Sequence, residues 1–131
     1  MKPIGRALLV TMIVLLFSSV IAQTPKWKLL GMKKVALRTD RDVINVGADE
    51  GTFKAIKFTV KKSAINFKDM KVHFSNGSVI DVKIRRKIPK GGETRVIDLP
   101  GANRNIKKVV FWYESIGKNN KRATVRLWGR K

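Results

Sequence analysis

Between Ala55 and Lys61 apolar and polar side chains alternate without a break, with Ile56, Phe58 and Val60 on one phase and Lys57, Thr59 and Lys61 on the other. A period of two sends these sets to opposite faces of an extended strand, so the segment is buried on one side only. The pattern returns near the end of the chain, where Ala123, Val125 and Leu127 alternate with Thr124, Arg126 and Trp128. After the first 22 residues no helical period runs for a useful length. Together these patterns exclude a helical bundle and predict sheets whose outer faces carry the charge.

A hairpin from Met70 to Arg85 is the clearest local feature, and Asn76-Gly77 marks its turn. A two-residue loop would set Val72 opposite Asp81, pairing an apolar with a charged side chain on one face. A three-residue loop over Ser75, Asn76 and Gly77, with Gly77 left-handed, instead sets Met70 opposite Val82 and Val72 opposite Ile80. It also brings Lys71 opposite Asp81 on the outer face. Cross-strand partners share a face, so the second register is the one expected.

Further extended runs are read at Trp27–Leu30, Val35–Leu37, Val43–Val46, Thr94–Leu99 and Ile106–Glu114. The last is apolar on both phases, which predicts a central strand or one with an interface on its second face. Turns are expected at Asp49-Glu50-Gly51, Pro89–Thr94, Pro100-Gly101 and Gly117–Lys121. The fold class is therefore all-β: a single small β-sandwich or barrel of about seven to eight mostly antiparallel strands.

The N-terminus has a different composition. Lys2 and Arg6 precede an uncharged apolar run, Ala7 to Phe17, and small residues then lead to Gln23-Thr24-Pro25. This is the layout of a secretory signal peptide, with cleavage expected between Ala22 and Gln23. Ala7–Ala22 is shorter than the roughly 20 residues a membrane-crossing helix needs, so no stable membrane span is expected after processing. No cysteine follows to carry a lipid. The expected organisation is a signal peptide over 1–22 and a single basic domain over 23–131, working in the periplasm or outside the cell. Removal of residues 1–22 takes two basic groups and no acid, leaving 109 residues with 27 basic and 9 acidic groups, a charge of +18. Such a surface attracts polyanions, or it serves as a solvated coat that keeps the domain soluble. The absence of cysteine fits a bacterial exported protein better than a disulfide-stapled secreted domain.

Several segments occur in a characteristic order: Asp40-Arg41-Asp42-Val43-Ile44, the hairpin Val72-His73-Phe74-Ser75-Asn76-Gly77, Arg95 to Gly101, Phe111-Trp112-Tyr113 and Leu127-Trp128-Gly129. In this the chain resembles a family of small exported bacterial proteins classed as a domain of unknown function. The resemblance implies a secreted or periplasmic sandwich-like domain and carries no reaction, ligand or catalytic residue.

The residues offer little for catalysis. His73 is the sole histidine and there is no cysteine, which leaves neither a zinc ligand set nor a cysteine nucleophile. His73 beside Ser75 is read as an ordinary exposed histidine. Asp40, Asp42, Asn45, Asp49 and Glu50 supply oxygen atoms for a calcium loop but lack the EF-hand order. Lys90-Gly91-Gly92 lacks P-loop spacing. No catalytic residue, metal or cofactor is expected.

Basic and aromatic residues cluster at the two ends of the domain, with Trp27 between lysines and Arg126, Trp128 and Arg130 alternating. Aromatic rings among cations suit gripping single strands and sugars, so these four are the candidate binding residues. The expected function is a non-enzymatic binding or interaction module at the cell envelope. Its partners would be anionic lipid, acidic polysaccharide, extracellular nucleic acid or an envelope protein. The alternative is a small secreted hydrolase acting on an envelope or extracellular polysaccharide.

Overall fold

The structure, a computed structural model, describes residues 26–101, 103–116 and 121–131. The expected cleavage site at Ala22 and Gln23, and most of the expected turn at Gly117–Lys121, lie outside these residues. Nine strands follow in chain order: β1 (Trp27–Lys34), β2 (Thr39–Asn45), β3 (Thr52–Phe53), β4 (Ala55–Lys61), β5 (Ile65–Phe74), β6 (Val79–Ile88), β7 (Ile97–Asp98), β8 (Arg104–Ser115) and β9 (Thr124–Arg130). All pairings are antiparallel. One sheet has the order β1-β9-β4-β7; the other has β2-β8-β5-β6, with β3 also paired to β8. The fold is sandwich-like with nine strands against the expected seven to eight, and the two-residue strand β3 is the one that the sequence patterns do not predict. No helix among the described residues is long and apolar enough to cross a membrane.

The alternation predicted for β4 and β9 holds in three dimensions. Ile56, Phe58 and Val60 are buried on β4, and Ala123, Val125 and Leu127 on and just before β9. These face the inner side of the second sheet, where Phe67, Met70, Val72, Val109, Phe111 and Tyr113 are buried. Phe58 joins the layers: its ring stacks parallel on Phe67 at 5.1 Å and lies 5.2 Å from Phe111. Such aromatic contacts add directional packing to the area buried. Gly129 lets the layers approach, because a Cβ there would come within 2.7 Å of Phe53 and 2.8 Å of Leu30.

The hairpin register is the one the alternation dictates. Met70 pairs with Val82, Lys71 with Asp81 and Val72 with Ile80. Gly77 has φ +91, and Phe74 and Ser78 close the three-residue loop with a 2.9 Å bond from the Phe74 amide. The apolar strand β8 is central, between β2 and β5.

Two expected strands differ. Val35–Leu37 is the connection between the sheets rather than a strand: the Val35 amide donates to the Ala123 carbonyl, and the Ala36 amide to the Tyr113 hydroxyl. Its burial of Val35, which looks like strand patterning, comes from capping the end of the core. Thr94–Leu99 is extended only at Ile97–Asp98, because the Thr94 amide and hydroxyl bond to Phe58 while the Leu99 amide turns to Lys54.

Candidate functional site

The outward face of the first sheet is built around β9. Thr124, Arg126, Trp128 and Arg130 point away from the core, each half-buried, between β1 on one side and β4 on the other. Register decides what flanks them. Trp128 has Leu29 and Lys57 beside it, Arg126 has Met32 and Thr59, and Thr124 has Lys34 and Lys61. Arg130 pairs with Trp27 on β1. The four residues singled out from the sequence thus share one face, although Trp27 lies about a hundred positions from the others.

Several contacts hold these side chains. Lys57 Nζ sits 4.4 Å from the centroid of the Trp27 ring, and the Arg130 guanidinium 5.1 Å from it. Both distances fall within the range of cation–π attraction. Lys57 also pairs with Glu93 at 3.3 Å. The Trp128 indole N–H donates to Thr59 Oγ1 at 2.9 Å, which fixes the ring on the face. Arg126 Nε is buried and has no hydrogen-bond partner among the described residues, an uncommon state for a charged donor. Leu29 and Met32 are exposed on the rim of the same face. Lys57 and Thr59 were not singled out from the sequence; pairing β4 with β9 on their matching alternation would have found them.

The strip along β9 from Thr124 to Arg130 is about 20 Å long at about 3.3 Å per residue. It offers aromatic rings, cations and apolar rim side chains on a shallow surface. Such a surface suits an extended ligand or another surface.

The other sequence candidates disperse. The Tyr113 hydroxyl donates to Asp42 at 2.6 Å, and Glu50 pairs with Lys28 at 2.7 Å. Asp40 lies beside Arg38 and accepts from the Arg41 amide; that amide bond, helped by the Arg38 charge, holds its carboxyl below the usual range. Among the described residues no group of three or more His, Asp or Glu is placed to hold a metal. His73 is half-buried, and its pKa is lowered by burial first and then by Lys108, Lys71, Lys107 and Arg41. None of the groups acting on it is a carboxylate that would orient the ring.

The profile of the family described as Domain of unknown function (DUF2541) matches residues 8–129. No curated protein matches the sequence. Among solved structures, AlgX of Pseudomonas aeruginosa superposes with a TM-score of 0.53 at 15% identity. That match covers 77% of this chain and 26% of AlgX, so this chain spans about a quarter of that protein, and the likeness is one of fold. The SPBc2 prophage-derived protein YomS gives 0.46 at 14% identity, over 83% of this chain and 96% of that one. A mutant of a carbohydrate binding module of family 29 gives 0.37 at 11% identity, over 82% and 92%.

Proposed function

Because the chain belongs to the DUF2541 family, which brings no assigned activity with it, we propose from its own geometry that it is a non-enzymatic binding module for anionic polymers or surfaces. The observation that carries this reading is the single outward face on which Trp27, Trp128, Arg126 and Arg130 converge. Cations stacked on Trp27 supply charge and ring together, and the half-buried Arg126 adds a further guanidinium charge beside Trp128 on the same face. The signal-like N-terminus supports action at the cell envelope or outside it, where acidic polysaccharide, anionic lipid and free nucleic acid are met.

Binding is read by tryptophan fluorescence against an acidic polysaccharide, an anionic vesicle and single-stranded DNA at rising salt. One ligand is expected to persist at higher salt than the others. Trp128→Ala and Arg126→Ala should each weaken that ligand by about fivefold to a hundredfold, the range for a lost stacking or charge-assisted contact. Lys83→Ala, on the far edge strand β6, should leave it nearly unchanged. Equal weakening by Arg126→Ala and Lys83→Ala, with Trp128→Ala without effect, would show that general charge, and not this face, does the binding.

A further inference from the structure

Four connections carry the chain between the two sheets at one end of the sandwich: β1 to β2, β4 to β5, β6 to β7 and β8 to β9. Each contributes at least one cation to a single open cleft of about 790 Å³: Lys34, Lys61 with Lys62, Lys90, and Lys121 with Arg122. No carboxylate lines it. All nine acids of the chain lie among the described residues, and the ion pairs they form engage Lys28, Arg38, Lys57, Lys71 and Arg85, none of them in the cleft. Six like charges therefore converge with no counter-charge from the protein.

Two local features show that the cleft is built. The Arg122 guanidinium is fixed at its wall, where Nε donates to the Val35 carbonyl at 2.8 Å and Nη2 to the Lys34 carbonyl at 3.2 Å. Lys62 has φ +73, a conformation that glycine adopts at less cost. A lysine held there at the expense of backbone strain is the kind of outlier that marks a working position.

We infer that this cleft binds a ligand with clustered phosphoryl groups. Each phosphomonoester carries about −1.5 to −2 charges and three acceptor oxygens, which matches several ammonium groups closing from different loops. Five of the six cations are lysines. Lysine meets phosphate as a compact point charge that imposes no planar geometry, so five ammonium groups and one guanidinium can close on several tetrahedral groups at once. The inference rests on the reading of this domain as an anion-binding module, but it uses none of Trp27, Arg126, Trp128 and Arg130; only Lys34 and Lys61, beside Thr124 at the end of that face, border both.

Calorimetric titration of the purified protein with inorganic triphosphate tests it, with sulfate as the single-group comparison. Triphosphate is expected to saturate one site and to bind at least about tenfold more tightly than sulfate, since one group engages fewer of the cations. Lys61→Gln combined with Lys121→Gln should weaken it by about tenfold, each cation contributing near the top of the range for exposed ion pairs. Lys62→Gly should weaken it severalfold while the melting temperature holds or rises. Trp128→Ala should leave triphosphate binding intact, so that loss of polymer binding in that variant, without loss of triphosphate, separates this site from the face. Phosphatidylcholine vesicles containing phosphatidic acid distinguish the source. Vesicle binding that triphosphate displaces assigns the site to a lipid headgroup, and triphosphate binding without vesicle binding assigns it to a free phosphate chain. No triphosphate binding at low salt, or binding undiminished in the double lysine variant, overturns the inference.

Discussion

The Tyr113 hydroxyl works in both directions: it accepts from the Ala36 amide at 2.9 Å and donates to Asp42 Oδ2 at 2.6 Å. One atom thereby ties the β1–β2 crossing to the second sheet. The side chain is fully buried, and burial together with the bond to Asp42 pushes its pKa up from 10.0 to about 12. The neutral form is thus favoured by folding. Its contribution to stability is complete below pH 10, the unfolded value, and is lost as pH rises toward the folded value of about 12, because there the folded state holds a proton that the unfolded state has released. Tyr113→Phe should cost about 1–3 kcal/mol at neutral pH, the range for leaving a buried donor and a carboxylate without their partner. Denaturant melts of both proteins should show that difference shrinking, by at most about 2 kcal/mol between pH 10 and pH 12, because the slope reaches about 1.4 kcal/mol per pH unit only midway between the two values. Comparing the two variants cancels the lysine titration common to both. A difference that stays constant with pH would contradict the bonded geometry of the hydroxyl.

Among the elements, the β5–β6 hairpin shows how far alternation reaches. Its register follows from side chains alone, since a two-residue turn puts Val72 against Asp81 and the three-residue turn does not. Gly77→Val should cost about 1–3 kcal/mol, read as a lower denaturant midpoint. Nothing lies within 4 Å of a Cβ placed there, so the loss would come from the backbone at φ +91 and not from a clash. An unchanged midpoint would mean that the turn takes another form in solution. The strands whose two faces meet different surroundings, β4, β5 and β9, were legible for the same reason, whereas β8 was legible as a central strand because it is apolar on both phases. Val35–Leu37 was not, because its β-branched and apolar composition reads as a strand while in the fold only Val35 plugs the end of the sandwich and Leu37 stays exposed. Of the candidate site, the alternating half Arg126-Trp128-Arg130 was legible, and Trp27 joined it by its composition of neighbours. Lys57, Thr59 and the six cleft cations were not, because they come together only through the pairing β1-β9-β4 and through loops far apart in the chain. Charge repeated along a sequence does not reveal which charges meet.

For the whole molecule, the excess of 29 basic over 9 acidic residues acts on folding and on binding with opposite signs. Folding gathers the cations of four loops and one sheet face onto a small body, where they repel one another more than in the extended chain. Salt screens that repulsion, since the Debye length falls from about 10 Å at 0.1 M to about 3 Å at 1 M. The melting temperature should therefore rise with added sodium chloride from low ionic strength. The five ion pairs offset little of this gain when they are screened, because most are exposed at the surface and weak. Attraction to an anionic polymer should fall over the same range, because the ions it displaces become harder to release as salt rises. A ligand that binds only the folded state adds its own stabilisation, so polyanion at low salt should raise the melting temperature as salt does, and the two effects should not add. Thermal scans over a grid of salt and polymer concentration would show this crossing directly. A melting temperature flat in salt would mean that the cations are too dispersed to repel, and the same dispersion would leave no concentrated charge for a polyanion to neutralise.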